Sequence, residues 1–332
     1  MGIGKASDFK VYNDEFFGGV SESLQQVTDV FNAAGRGAIQ LIPAARRGDF
    51  AKESFYQALA DGGISRRDTT STETADDTEL TQEELISVKL NRKIGPIANT
   101  LDSFRKIQQG ATDQALSFLM GAQVGKGMMV DYLDAAATAF IASVGKETSN
   151  TADKTASPGS TLTTEYLFDG LAKMGDAQNR IVAWMMHSKA YSDLVKEQAL
   201  TTKIEGIANF NIETGTPVTL NRPVIMTDCS ALVDTNSPGE DNYYILGMTA
   251  NAIVLEQSED QSIESQIITG LENLIVRLQG EYAYNLTSKG FKFSTSHANP
   301  TLATLGTEAR WTKVASSHKD IGGVVIKVGP SA

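Results

Sequence analysis

The segment Gly121-Ala-Gln-Val-Gly-Lys-Gly127 is the first candidate for chemistry, because it resembles a phosphate-binding loop. Such a loop has four residues between its two glycines and continues with Lys and then Ser or Thr. Here three residues separate Gly121 from Gly125, and Gly127 stands where the hydroxyl residue is needed. The segment also follows helix-forming sequence rather than a strand. We therefore predict a flexible or closely packed helix and no nucleotide site.

The three histidines and the single cysteine form no recognisable catalytic group. His187, His297 and His318 are scattered, and none is part of an HExxH motif or an i,i+4 pair. Cys229 follows an apolar segment, and nothing in the sequence places a base beside it. We expect His187 to be a core or interface residue and Cys229 to be structural. A lone cysteine also excludes an intrachain disulfide.

An acidic group between residues 73 and 79 could suggest a cation site. It consists of Glu73, Asp76, Asp77 and Glu79. It lacks the alternating ligands and the central glycine of a calcium-binding EF-hand loop, so a solvated loop is the better interpretation. No acid/base pair, catalytic triad or cofactor fingerprint is present, and we expect no catalytic, cofactor-binding or metal-binding residues.

The composition excludes several classes of protein. With 332 residues, 41% of them hydrophobic and 21% charged, the chain is long and apolar enough to fold around one large core or several smaller ones. Its net charge of −11 opposes tight binding to nucleic acid as the main activity. We expect no membrane span, because no run approaches the roughly twenty apolar residues that one needs. We expect no secretory signal, because the start of the sequence lacks a basic region followed by an apolar block.

The N-terminal third contains a helix candidate, a strand and a long polar excursion. Residues 16–31 predict an amphipathic helix that ends at Gly35 and Gly37 and docks on the main body or on a neighbouring subunit. The strand Ala38-Ile-Gln-Leu-Ile42 ends at Pro43. The excursion is almost entirely polar from Ser65 to Glu84 and predicts an extended hairpin.

Charges are separated along this excursion, as a clasp on a neighbouring subunit would require. A solvated flexible loop is the competing interpretation. The candidates for contacts between subunits are the basic residues Arg46, Arg47, Arg66, Arg67, Arg92 and Lys93 and the acidic residues Asp76, Asp77 and Glu79.

The middle of the chain predicts one long helix and then a boundary. Good helix formers continue from Asp102 to Val144, which corresponds to a helix on the order of 50 Å long. Its glycines suggest a bend or a division. The Ser/Thr-rich stretch 146–166 predicts a domain boundary, and Thr163 or Thr164 is a candidate cap for a helix running to Met174.

The region from Ile181 to Val254 predicts a rigid packing module without chemistry. Trp184, His187 and Tyr191 recur at helical spacing, so we expect a helix from Ile181. Arg222-Pro-Val-Ile-Met-Thr-Asp228 predicts a strand, and further strands follow to the end at Ile321-Gly-Gly-Val-Val-Ile-Lys-Val-Gly329. The elements together indicate an α+β fold.

Several segments of this sequence carry a resemblance to a known family. They are the leader MGIGKASDFKVYNDEFFGG, the pieces ISRRD, SVKL and GPI between Ile64 and Ile97, and the pair WMMHSKAYSDLV and NRPVIMTD. In this order they resemble the major capsid proteins of tailed bacteriophages with the Hong Kong-ninety-seven-type fold. The short-tailed branch with the epsilon-fifteen and Bordetella phages looks closest.

The resemblance implies a role for each part of the chain. Residues 1–44 would be an N-arm, 45–100 an extended loop that overlaps an adjacent subunit, and 101–160 a peripheral domain with a long spine helix. Residues 161–256 would be an axial domain, and 257–332 would return to the peripheral domain. Gly121, Gly125 and Gly127 would then be candidate hinges in the spine helix.

The function implied is self-assembly into an icosahedral shell, in pentamers and hexamers, around a double-stranded DNA genome. No enzymatic activity, membrane contact or sequence-specific DNA contact would be needed. A cement or decoration protein, a portal and a scaffold would be partners, and assembly would take place in the host bacterial cytoplasm. The alternatives are an encapsulin-like nanocompartment shell protein and a soluble enzyme with a cryptic site.

Overall fold

A computed structural model gives an α+β architecture built on two larger sheets. It describes residues 18–22, 32, 35–42, 50, 52–56, 64, 67, 69–70, 72, 74, 82–100, 113–155, 161–201, 219–235, 241–270 and 272–329. Residues 18–22 are helical, and Val20 among them is buried. Most of the predicted helix 16–31 lies outside the described residues.

The first sheet has the strand order β1-β10-β11-β4. Its strands are β1 (Ile39–Ile42), β10 (Ile253–Ile268), β11 (Ile275–Ser288) and β4 (Val88–Thr100). β10, β11 and β4 are antiparallel, whereas β1 runs parallel to β10. The predicted strand before Pro43 is therefore confirmed, and it lies at an edge, where a following proline is tolerated.

The second sheet has the strand order β5-β14-β9-β6-β7, with β8 also paired to β9. Its strands are β5 (Thr151–Asp153), β6 (Ile181–Met186), β7 (Val224–Met226), β8 (Val233–Thr235), β9 (Asp241–Thr249) and β14 (Gly323–Val328). The sheet thus combines β6 to β9, which lie within residues 161–256, with β5 before this range and β14 after it. Its last strand, β14, pairs with β9 rather than with β10 or β11.

The α-helices α1 to α4 and two small strand pairs are the other main elements of the described fold. The helices are α1 (Asp113–Val144), α2 (Thr164–Ala172), α3 (Ser188–Thr201) and α4 (Leu302–Leu305). The strand pairs are β2 (Lys52–Tyr56) with β3 (Gln82–Ile86), and β12 (Phe291–Phe293) with β13 (Trp311–Lys313). The Thr163 hydroxyl accepts a hydrogen bond from the backbone N–H of Tyr166, so the predicted cap of α2 is confirmed.

Side chains on the two faces of the six-stranded sheet belong to two different cores. Ala183, Met185 and Val325 are buried in one core with α1 and the four-stranded sheet. Trp184 and Ile326 are buried in the other, with α2 and α3. Because both faces are covered there, the strands β6, β9 and β14 contain apolar runs rather than the alternating pattern of a half-exposed sheet.

The helix α1 is the central element of the larger core. Its segment Gly121–Val144 is long and apolar enough to cross a membrane by length and composition alone, but 61% of its most apolar 18-residue window is buried inside the fold. The expectation that the chain has no membrane span stays a prediction. The helix contacts strands of both larger sheets. It is one continuous helix of 32 residues through Gly121, Gly125 and Gly127, and not a divided one.

The predicted helix from Ile181 is wrong in its first third. Residues Ile181–Met186 form β6, which pairs antiparallel with β9 and parallel with β7, and the helix begins only at Ser188. An apolar run of six residues satisfies either periodicity, so the available strand partners decide its conformation. The stretch 146–166 likewise contains β5 and is not simply a linker.

Close packing explains two glycines of the six-stranded sheet. A Cβ on Gly247 would overlap the ring of Trp184, and one on Gly323 would overlap the backbone carbonyl of Gly247. Gly323 also has φ of +146°, which L side chains rarely adopt. These glycines let β6, β9 and β14 approach around the buried Trp184 side chain.

Candidate functional site

A polar network joins α1 to the four-stranded sheet. The Oδ2 atom of Asp131 on α1 accepts hydrogen bonds from Arg92 Nε, Tyr282 OH and Tyr284 OH, each at 3.0 Å. The guanidinium of Arg92 also lies over the Tyr284 ring, 5.9 Å from its centroid. Tyr132 packs edge-on against both tyrosines. The network therefore holds the helix and the sheet in one relative position.

Burial and the Asp131 carboxylate change the acidity of the groups in this network. Desolvation, and then the negative charge of Asp131, raise the pKa values of Tyr132, Tyr282 and Tyr284 far above the usual range. Burial alone lowers the pKa of Arg92, but Tyr284 and Asp131 outweigh it, and its pKa is raised. The three tyrosines are therefore neutral at any physiological pH.

The predicted extended hairpin is present at its base. β2 and β3 pair antiparallel from Lys52↔Ile86 to Tyr56↔Gln82. Ion pairs Lys52–Glu84 at 3.2 Å and Lys292–Glu83 at 3.1 Å hold β3 to β2 and to β12. Beyond this base, the described residues of the excursion (64, 67, 69, 70, 72 and 74) are all exposed, and Ile64 is 84% exposed.

The residues proposed from the sequence for contacts between subunits fall into three groups. Arg67 and Lys93 are exposed. Arg92 is occupied inside its own chain by Asp131, with the side chain only 19% exposed. The other six lie outside the described residues: Arg46, Arg47, Arg66, Asp76, Asp77 and Glu79.

The other chemically suggestive residues have structural surroundings. Gly121–Gly127 lies within α1, where the backbone N–H groups serve the helix instead of a phosphate. His187 Nδ1 accepts from the backbone N–H of Lys189, and Asp228 accepts from that of Ser188, so both residues cap α3. Burial, and then the Asp134 carboxylate, raise the pKa of Cys229 to about 11, which disfavours the reactive thiolate.

A pocket lies between the β2–β3 hairpin and the four-stranded sheet. It is the pocket to consider for the alternative function, a soluble enzyme with a cryptic site. Its polar lining includes Glu53, Ser87, Glu256, Thr287 and Lys289. Lys289 Nζ donates to Thr249 Oγ1 and to the carbonyl of Ala250. In the part of the chain that the structure describes, no three His, Cys, Asp or Glu side chains are grouped as metal ligands.

Comparison with known proteins defines the class. The sequence model of the family Gp13-like, major capsid protein 13-like, matches residues 8–325. A comparison with curated proteins finds no match. The chain belongs to this family of major capsid proteins. Its role is structural: identical subunits form the capsid of the virion.

Solved structures show the same fold at low sequence identity. A chain from the capsid of Ralstonia phage GP4 has a TM-score of 0.54 at 9% identity, covering 90% of this chain and 88% of that one. A chain of Mycobacterium phage Cain has a TM-score of 0.52 at 12% identity, covering 88% of both. A chain of Microbacterium phage Oxtober96 has a TM-score of 0.51 at 12% identity, covering 77% and 84%.

The predicted family, α+β fold class and capsid function are thereby confirmed. The particular branch, with the epsilon-fifteen and Bordetella phages, stays a prediction. Sequence reasoning missed the network around Asp131. The only available signals were an acidic residue inside an apolar helix and the alternation of Tyr282 and Tyr284, and neither indicates the other across 151 residues.

Proposed function

We propose that this subunit assembles as pentamers and hexamers into an icosahedral shell around a double-stranded DNA genome, joined by its N-terminal arm and its extended hairpin. The observation that carries the proposal is the β2–β3 hairpin with an exposed excursion beyond it. The described residues of this excursion are all exposed on their own subunit, so their side chains can contact a neighbouring one.

The proposal assigns a role to each part of the chain. The peripheral domain would comprise residues 101–160 and 257–332, and the axial domain 161–256 would gather around the symmetry axes. The position of β14 between β5 and β9 supports a modified boundary, in which the last strand belongs to the sheet of the axial region. Arg92 would act inside the subunit, and Arg67 and Lys93 remain candidates for contacts between subunits.

The chain's acidity suits a wall that encloses DNA without adhering to it. A net charge of −11 per subunit favours repulsion from phosphate, so DNA would be enclosed without sequence-specific contacts. A portal, a cement or decoration protein and a scaffold are proposed partners, with assembly in the host bacterial cytoplasm. The subunit would have no catalytic activity of its own.

The test is assembly of the purified chain with and without its excursion. In the variant, residues 57–81 are replaced by a short Gly-Ser turn, so that β2 and β3 can still pair. We expect the wild-type chain to form closed particles in negative-stain electron microscopy, alone or with scaffold. The shortened chain should fold but form capsomers or free subunits, because it lacks the excursion that would join neighbouring subunits.

Circular dichroism of both proteins provides the folding control. A wild-type chain that stays monomeric with and without scaffold would contradict the proposed shell. Normal closed particles from the shortened chain would contradict the role of the excursion alone.

A further inference from the structure

Five basic side chains from separate segments converge on one end of the strands β6 and β9. We call them the basic cluster: Arg36, Arg180, Arg222, Lys289 and Lys319. The centre of this region is the turn after β9, because Thr249 is the strand partner of Ile181 and its N–H donates to the carbonyl of Gly322. The segments that carry the five cations all contact this turn or the start of β6.

Two of the cations are attached to the approach to β6. Arg222 donates from Nε to the carbonyl of Ile181 at 2.7 Å and from Nη2 to that of Gln178 at 3.2 Å. Arg180 donates from Nη1 to the carbonyl of Lys319 at 3.1 Å and to Asp320 at 2.7 Å. These bonds orient both guanidinium groups at the same corner of the sheet.

Two more cations lie at the turn itself. Lys289 donates to the carbonyl of Ala250 at 3.1 Å, and the carbonyl of Gly37, next to Arg36, accepts from Asn251 N–H at 2.8 Å. Arg36 is exposed and has φ of 50°, a left-handed conformation that non-glycine residues seldom adopt.

The charges of the basic cluster are incompletely neutralised. Lys319 pairs with Asp176 at 2.5 Å and Arg180 with Asp320 at 2.7 Å. Within the described residues, Arg36, Arg222 and Lys289 form no ion pair with a carboxylate. Glu53 and Glu256 line the same pocket as Lys289, so the excess of positive charge at this corner lies chiefly on Arg36 and Arg222.

The pKa shifts of Arg222 and Lys289 agree with an excess of positive charge at this corner. Burial lowers the pKa of Arg222, and the neighbouring positive charge of Arg36 lowers it further. Burial likewise lowers the pKa of Lys289. The positive charge of Arg180 lowers this pKa further, and the negative charge of Asp320 opposes the change. An anion at this corner would relieve the repulsion among the cations.

The chain itself carries a segment of the complementary charge. Between Arg67 and Lys89 the sequence has seven acidic residues and no basic one. Glu83 and Glu84 are paired within the subunit, which leaves Asp68, Glu73, Asp76, Asp77 and Glu79. The 25 residues between Tyr56 and Gln82 can extend up to about 40 Å outward and back, far enough to reach an adjacent subunit.

We propose that the basic cluster binds the acidic segment 68–79 of a second copy of this chain in the assembled shell. This inference rests on the proposed function, which supplies the neighbouring copy. Subunits that each carry −11 repel one another, so a contact that places cations of one subunit against acidic side chains of the next lowers this repulsion. The exposed residues of the excursion show that it does not pack on its own subunit where described.

A charge-swap experiment tests the contact. Arg36→Glu changes an exposed side chain, and we expect at least a tenfold lower particle yield by sedimentation and electron microscopy. Asp76→Arg with Asp77→Arg should act alike, and the triple variant should recover to within twofold of wild type. Lys196→Glu, which reverses an exposed cation on α3, is the matched control and should leave the yield unchanged.

Crosslinking identifies which copy supplies the acidic segment. The chain has one cysteine, Cys229, which is buried, so Arg36→Cys with Asp77→Cys gives a nearly clean pair for a short bis-maleimide. Covalent multimers from assembled particles support the proposal. A crosslinked monomer without multimers overturns it in favour of a contact within one subunit.

Other outcomes also decide the matter. Unchanged yield with Arg36→Glu, or no recovery in the triple variant, overturns the inference while wild-type particles uphold the proposed function. Normal particles with reduced DNA content would instead assign the cluster to the genome. Failure of the wild type to assemble would refute the proposed function itself.

Discussion

Replacing Asp131 by alanine should produce one of the largest losses of stability available from a single polar side chain. The carboxylate oxygen Oδ2 receives three hydrogen bonds, from Arg92, Tyr282 and Tyr284. Alanine is a good helix former, so α1 itself is not disturbed by the change. The loss therefore reports the network between the helix and the sheet.

The magnitude follows from the groups left without a partner. Removing one member of a buried ion pair costs about 3–5 kcal/mol. The side chains of Arg92 and Asp131 are 19% and 24% exposed, so water reaches them and the lower end applies. Two tyrosine hydroxyls each lose a hydrogen bond to a charged acceptor, worth about 1 kcal/mol or more. Because these terms are not additive, we expect a decrease of about 4 kcal/mol in the free energy of unfolding.

The assay is urea unfolding of the unassembled subunit, followed by circular dichroism and tryptophan fluorescence. Trp311 is buried in the core that contains α1, and Trp184 in the other core, so the fluorescence covers both. Asp134→Ala is the matched control. It lies three residues further along the same helix, its Oδ1 is buried without a hydrogen-bond partner, and its carboxylate faces only the weakly hydrogen-bonding Cys229 thiol among the contacts described above. We expect its effect to stay below about 1 kcal/mol.

The reasoning would be refuted by a small effect at Asp131. A loss below about 1 kcal/mol, or a loss equal to that of Asp134→Ala, would mean that the three hydrogen bonds contribute little beyond what water supplies.

Three further predictions concern acidity and packing. Raised tyrosine pKa values in the folded state mean that stability is complete below pH about 10 and falls as pH rises above it, by about 1.4 kcal/mol per pH unit for each tyrosine. Urea midpoints at pH 9 and pH 11 measure this slope, and Tyr282→Phe should reduce it; an equal slope in the variant contradicts the assignment. Cys229, with its pKa raised to about 11 from 9.0, should react with a thiol reagent at pH 8 about 100-fold more slowly in the native protein than in urea. Gly323→Ala should abolish soluble expression, because its Cβ overlaps backbone, whereas Gly127→Ala, in open space on α1, should raise the free energy of unfolding by up to about 1 kcal/mol. Soluble Gly323→Ala protein with wild-type stability would show that the strands can separate at low cost.

Local sequence was sufficient for elements whose residues favour one conformation by themselves. The long run of helix formers predicted α1 because Ala, Leu, Met and Gln favour a helix wherever it packs, and its internal glycines are outweighed. The β-branched residues before Pro43 predicted β1, and the Thr163 hydroxyl predicted the start of α2.

Partner-dependent elements were not predictable in the same way. Ile181–Met186 reads equally well as helix or strand, and pairing with β9 and β7 selects the strand. Arg92 was grouped with the charges of the excursion because it is near them in sequence. In the folded chain its partner is Asp131, 39 residues away, since folding brings the Arg92 side chain on β4 to the Asp131 carboxylate on α1.

The residues of these segments and their order along the chain were sufficient to predict, from the sequence alone, an α+β capsid subunit. The order of the segments can be recognised without the structure, because each segment favours one backbone conformation by itself. Only the tertiary structure determined which charges are used inside the subunit and which remain available to a neighbour. Ion pairs form between side chains that folding brings within a few ångströms, and no local preference records that distance.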